Sequence, residues 1–432
     1  MENIKIIADK TEEILRGQDA GMAYFTVTTS QMREFNVDNG EFSLFRTLYD
    51  NNLDITAYKD QKKGSASINC FEEAAIRDAV ETCLKSAESG VADPDYTIAP
   101  KQENEVFRQG VYEPDIDRFF ERAKELMENI KEQFPKIIVQ QMVLSHTKQH
   151  SVYRNTNGTE FETFSGKYEV DLGFAGHEGE QTTSLCGSYF STDSLEKPFI
   201  ECGSLKKELA DAQAQLNTVS LSGKLDGTVI LTPSCFADFL YSIVNNFVSD
   251  IVILEKTSVW LNKLNEKVAD ERLTISLAPL DERILCGQRY TMEGFKAENY
   301  DLIKNGVLKS FLISQYVANK SGFERAKNTS YSVIIEGGDT PFENMIKNVK
   351  NGIIIGDFSG GQPSIGGDFS GVAKNSFLIE DGKIKGAVNE VMISGNFVQL
   401  LNDLVAVSKE TVADGDKVLP YMAFKNVVIA GK

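Results

Sequence analysis

The sequence predicts an α+β protein. Helix-containing antiparallel N-terminal units are followed by a strand-rich C-terminal domain with a large twisted sheet. Three observations point there. Two long stretches, "AYFTVTTSQMREFNVDNGEFSLFRTLYDNNLDITAYKD" and "KIIVQQMVLSHTKQHSVYRNTNGTEFETFSGKYEVDLGFAGH", alternate apolar and polar residues with the period of strands. Segments such as "SINCFEEAAIRDAVETCLKSAES" repeat their apolar residues at helical spacing. The text after residue 250 consists mostly of short apolar runs broken by turn dipeptides.

In chain order, Ile4, Ile7, Ala8 and Ile14 define a first helix. Strand-like text with a turn at Asp38–Gly40 follows. Ile76, Ala79, Val80, Cys83, Leu84 and Ala87 then form one helical stripe, with Asn69 or Ser67 as its cap. A polar passage, 94–113, leads to a helix over 114–133 that Pro135 ends, and the second alternating stretch turns at Asn157-Gly158. "SLKKELADAQAQL" is a short amphipathic helix, and the Gly- and Ser-bearing "NTVSLSGKLDG", 217–227, marks a domain boundary. "GTVILTPSCFADFLYSIVNNFVSD" reads as strand, proline start and helix over 234–248. Turns are expected at Asn305-Gly306, Gly337-Gly338, Gly360-Gly361 and Asp381-Gly382, and a late helix over 395–408 with Ser394 as its cap. The resulting division is an N-terminal α/β unit over 1–110, a helix plus antiparallel strands over 111–220, and the sheet-rich domain over 221–432.

Composition excludes several functions. With 41% hydrophobic and 25% charged residues, the 432-residue chain is globular rather than disordered. Its formal charge, 45 − 63 = −18, opposes direct contact with nucleic acid or an anionic membrane. No run approaches transmembrane length, and "MENIKIIADKTEEILRG" has no signal-peptide core, so a cytoplasmic location is expected. The six cysteines show no disulfide or metal spacing, which fits buried thiols in a reducing compartment.

Few residues offer chemistry. His146 and His150 share the spacing of "HTKQH", but on a strand they stand about 13 Å apart, too far for one metal ion. His177, Cys186 and Cys235 are the other candidates, and hairpin or buried roles are the plainer reading of each. The doubled phrase "GDFSGGQPSIGGDFSG", 356–371, lacks the spacing of a calcium loop and the Lys-Ser/Thr end of a phosphate loop. It reads as a turn between strands, marked by Ser359-Gly360-Gly361 and Pro363.

The stretches "NGVLKSFLISQYVANKSG" and "MIKNVKNGIIIGDFSGGQPSIGGDFSGVAKNSFLIEDGKIKGAVNEVMISGNFVQLLNDLVAVS" resemble the TldD/PmbA family, called both zinc peptidases and modulators of DNA gyrase. "NNLDITAYKDQKKGSASINCFEEAAIRDAVETCLKSA" is similar to that family's opening unit. In the TldD branch a central helix carries H-E-x-x-x-H, and a cysteine near the C-terminus completes a zinc site. Aligned on Asp250, the motif's positions fall here on Leu240, Tyr241 and Asn245, and "LPYMAFKNVVIAGK" contains no cysteine. Leu240 cannot ligate zinc, Tyr241 is a poor base at neutral pH and Asn245 is a weak ligand. The resemblance is therefore to the PmbA branch, also called TldE, which lacks the motif.

That resemblance implies a non-catalytic subunit, with no metal or cofactor of its own, that shapes the peptide cleft of a TldD-like partner. The partner would supply zinc and general base, and the substrate would be an unfolded or flexible peptide. Asp357, Gly360, Gly361, Gly366, Gly367, Asp368 and Phe369 would then shape the cleft rather than ligate. Two other readings stay open: an autonomous peptidase of non-metal mechanism, and a self-associating (homodimeric) peptide-binding modulator.

Overall fold

The alternating stretches become four strands of 17 to 19 residues, which build the N-terminal sheet. The computed structural model describes residues 3–388 and 390–431. β1 (Met22–Asp38), β2 (Glu41–Lys59), β3 (Lys62–Ile68), β4 (Glu105–Gly110), β5 (Ile137–Asn155) and β6 (Glu160–Glu178) lie in the order β3-β2-β1-β5-β6-β4. All neighbours are antiparallel except β4 and β6, and the short β7 (Gln181–Thr182) and β8 (Cys186–Thr192) also pair with β6. Tyr24 opposite Asn155 and Asp38 opposite Gln141 set the β1–β5 register, so stretches far apart in sequence share a sheet. Asn39 and Gly40, at φ 49° and 82°, reverse the chain between β1 and β2.

A strand of 17 residues spans about 55 Å, and one helix is only about 10 Å wide, so two helix pairs fit along it. α1 (Ile4–Gly17) and α2 (Glu73–Ser89) cover one end, packing Ile7, Leu15 and Val80 on Phe25, Val27 and Ile55. α3 (Ile116–Gln133) and α4 (Leu205–Ala214) cover the other, packing Phe119, Leu126 and Leu209 with Phe35, Met142 and Leu144. Asn3 caps α1, and Asp115 caps α3 by accepting from Arg118 N at 3.0 Å. α2 departs from expectation. It starts at Glu73 without a side-chain cap, because Ser67 remains in β3 and its hydroxyl donates to Asn52.

Among the described residues the C-terminal sheet has 14 strands. β9 (Thr218–Val219) lies at its rim, and β10 (Lys224–Leu231) pairs with the central strand Val418–Ala430. The other edge of that strand pairs with Leu404–Ala413 and Val391–Asn396. α5 (Pro233–Ile243) lies against it, with Phe236 and Phe424 stacked at 6.0 Å.

Three expectations are corrected here. The late helix covers only Phe397–Asn402, capped by Asn396 rather than Ser394, because Leu404–Ala413 turns to strand and pairs with the central strand. The helix expected over 234–248 is α-helical only to Ile243 and continues as a wider π-turn over Val244–Val248. Gly360 and Gly361 are not a turn. They sit in the strand Asp357–Gly361, which pairs with Asp368–Lys374, so the doubled phrase forms two arms of a hairpin.

Gly64 of β3 is where α2 meets the sheet most closely: a Cβ there would stand 2.0 Å from Cys83 O and 2.6 Å from Ala87 N. Both are backbone atoms that cannot rotate away. Gly64→Ala is expected to destabilise the protein by about 1–3 kcal/mol, read as a lower denaturant midpoint at unchanged slope.

Candidate functional site

α5 begins where the sequence places it. Thr232 Oγ1 accepts from Cys235 N at 3.2 Å, and Pro233 occupies the first turn, where its missing N–H costs nothing. Phe239 then points into a ring cluster, with centroids 5.1 Å from Phe358, 5.7 Å from Phe369 and 5.2 Å from Phe397. Phe358 and Phe369 are the aromatic residues of the two copies of the doubled phrase.

That anchoring fixes the positions that follow. Leu240 is in the core, 5% exposed, while Tyr241, about 200° round the helix from Phe239, is 61% exposed. Tyr241 stacks on Tyr331 at 5.9 Å, and Tyr331 Oη donates to Asn245 Oδ1 at 3.5 Å. Asn245 lies in the π-turn, where its carbonyl accepts from Ser249 Oγ at 3.0 Å. Asn246 Nδ2 donates to Pro363 O at 2.7 Å and ties the hairpin loop to this turn. Asp250 Oδ1 accepts from Ser314 N at 2.8 Å, and burial raises its carboxyl pKa despite that bond.

A zinc ion does not fit these residues. Leu240 offers no donor and faces the core, and Tyr241 and Asn245 cannot by themselves form a ligand set. Among the described residues no group of three or more His, Cys, Asp or Glu is placed to hold a metal.

The doubled phrase divides its residues between two places. Asp368 Oδ1 accepts from Asn396 Nδ2 at 3.0 Å, and the same amide donates to Gly366 O at 2.9 Å. Gly360, at φ +93°, faces Gly371 across the hairpin, Gly361 faces Ser370, and Gly367, at φ +91°, closes the loop onto Ser364. Asp357 pairs with Lys374, six residues along the partner strand from Asp368, so the two aspartates stand roughly 20 Å apart. They do not converge. Asp357 instead borders a cavity at the start of α5, together with Asp238, Glu208 and Asp211. Sequence reasoning missed that cavity, because its walls come from distant parts of the chain.

The histidines are separate. His146 Nε2 donates to Val111 O at 2.7 Å, and burial lowers its pKa. His150 pairs with Glu162 Oε1 at 2.9 Å and stacks on Phe164 at 4.1 Å. His177 Nδ1 meets Thr182 Oγ1 at 3.0 Å. Burial pushes the Cys186 thiol up to about 11 and raises that of Cys235 well above its ordinary value, which opposes a nucleophilic role for either.

The architecture is that of a two-domain α+β protein, and residues 222–431 match the PmbA/TldA metallopeptidase C-terminal domain. The C-terminal half of the chain therefore carries a domain of the PmbA/TldA type, without the H-E-x-x-x-H motif. It is 24% identical to the metalloprotease PmbA homolog of Haemophilus influenzae, over 87% of this chain and 83% of that one. It is also 24% identical to the metalloprotease PmbA of Escherichia coli O157:H7, over 94% and 91%. Among solved structures, TldE from Thermococcus kodakarensis aligns with a TM-score of 0.86 at 22% identity, over 98% of this chain and all (100%) of that one. A putative modulator of DNA gyrase from Bacteroides thetaiotaomicron aligns at 0.87 with 23% identity, over 100% of both chains.

Two outcomes are expected. Leu240→His places an imidazole in the core and costs about 2–5 kcal/mol of stability, measured by denaturant unfolding. His146, lowered from 6.5 by burial, binds its proton more readily in the unfolded chain, so it removes stability as pH falls below about 6.5. His146→Gln removes that contribution, so unfolding curves of variant and wild type should converge or cross as pH drops from 7 to 5.

Proposed function

We propose that the chain is the non-catalytic subunit of a TldD-type metallopeptidase acting on unfolded or flexible peptides in the cytoplasm. The partner supplies the zinc and the general base, and this chain contributes one wall of the peptide cleft. The observation that carries the reading is the state of α5. Its motif positions hold a core leucine and a Tyr241–Tyr331–Asn245 surface group, not a partly assembled ligand set. The names of the relatives, metalloprotease PmbA and TldE, support a place in a metallopeptidase system, while the non-catalytic role rests on the state of α5.

In this reading the exposed rings of Tyr241 and Tyr331, 61% and 44% accessible, are the surface offered to an extended peptide. The hairpin 357–374 acts as a support: its buried Phe358 and Phe369 hold α5, and its loop holds the π-turn through Asn246. No helix among the described residues is long and apolar enough to cross a membrane.

The test is co-purification with the TldD-like protein of the same organism, followed by hydrolysis of an unstructured peptide. Association is expected, with peptide cleavage that depends on both chains, is abolished by chelation and falls several-fold with Tyr241→Ala. No association and no change in the partner's activity would refute the reading, and chelator-resistant cleavage by this chain alone would replace it with autonomous catalysis.

A further inference from the structure

A cavity of about 450 Å³ lies between the two sheets, walled by β6, β8, α4, the first turns of α5 and the base of the doubled-phrase hairpin. Its volume falls within the range of small-molecule sites. Glu208 and Asp211 enter from α4, Asp238 from α5 and Asp357 from the hairpin. Lys207 is held by Asp211, with Nζ 2.7 Å from both carboxylate oxygens, and so adds little free positive charge. Lys417 partly offsets Asp238, whereas Asp357 adds to its negative field.

Two polar atoms in this wall are left over. Ser188 is 7% exposed, and its hydroxyl has no hydrogen-bond partner. Glu208 Oε1 accepts from Ser204 Oγ at 2.7 Å, but its buried Oε2 has no hydrogen-bond partner. The Ser188 and Ser234 hydroxyls face this carboxyl without reaching it in hydrogen-bond geometry, and burial raises its pKa against their pull. Asp238 and Asp357 make no side-chain hydrogen bond or ion pair with another described residue. The field at the wall also shows in Cys186, whose thiol is raised first by burial and further by Asp357, Glu208 and Asp211. A buried acceptor without a partner costs free energy until something donates to it.

The donor that fits is an organic cation, not a metal ion. Metal ligands must converge on one point at 2.0–2.6 Å, and no three such groups among the described residues do so. Ammonium groups on a flexible methylene chain can reach carboxylates spread around a wall, each donating up to three hydrogen bonds. We propose that this cavity binds alkylammonium groups, presented by a free di- or triamine or by a lysine side chain. An ammonium sits against Glu208 and Ser188, and where the ligand carries a second charge, as a di- or triamine does, that charge lies between Asp238 and Asp357. This site is independent of the partner reading above, and either can fail without the other.

Isothermal titration of the full chain with spermidine, and separately with an end-capped lysine peptide, tests the proposal. The expected result is saturable binding of one ligand per chain, weakened about tenfold by Glu208→Gln and by Asp238→Asn. Glu88→Gln, an exposed charge on α2, should leave it unchanged. The tighter of the two ligands identifies the source of the amine. No saturable binding, or equal affinity in all variants, would overturn the site and leave only counter-ion attraction to an acidic chain. Circular dichroism checks folding, and Asp238→Asn, at a solvent-accessible position, carries the test should Glu208→Gln fail to fold.

Discussion

Phe239 is the residue on which the C-terminal domain turns. Its ring meets Phe358 and Phe369 from the hairpin and Phe397 from the late helix, so one side chain of α5 joins three separate segments. Each such pair adds about 0.5–1.5 kcal/mol beyond its buried area. The doubled phrase has a physical reason in this cluster. Each arm must present an inward phenylalanine followed by small residues, and a Cβ on Gly371 would lie 2.5 Å from Phe358 Cζ. The repeated "DFSG" is the same packing requirement met on two adjacent strands.

Because Phe239 is fixed, so is the helix phase, and the rest of α5 follows from it. Phe236, Phe239, Leu240 and Ile243 face the core, and Tyr241 faces solvent. A histidine at position 240 would have to leave that core to meet a metal. The wider turn at 244–248 is the unusual feature of this helix, and Ser249 Oγ and Asn246 Nδ2 hold it in place from either side.

Much of this was legible in the sequence, for identifiable reasons. The long strands announce themselves by strict alternation, and α5 by Thr232, Pro233 and its apolar stripe, all local signals. The strand reading of "HTKQH" separates His146 from His150, each with its own partner. What escaped is non-local. Apolar spacing in "LLNDLVAVS" suits helix and strand alike, and pairing with the central strand decides it. The glycines at 360 and 361 look like a turn and lie in a strand, since only the opposing Ser370 and Gly371 reveal the register. The acidic cavity was invisible because Ser188, Glu208, Asp238 and Asp357 are brought together only by the packing of one domain on the other.

The central claim is that position 240 and its neighbours serve packing and surface contact rather than metal binding. Elemental analysis of the chain, purified without chelator and without its partner, tests this most directly. The account predicts zinc far below one ion per chain, unchanged by prior incubation with excess zinc and desalting. Stoichiometric zinc retained through desalting would contradict it.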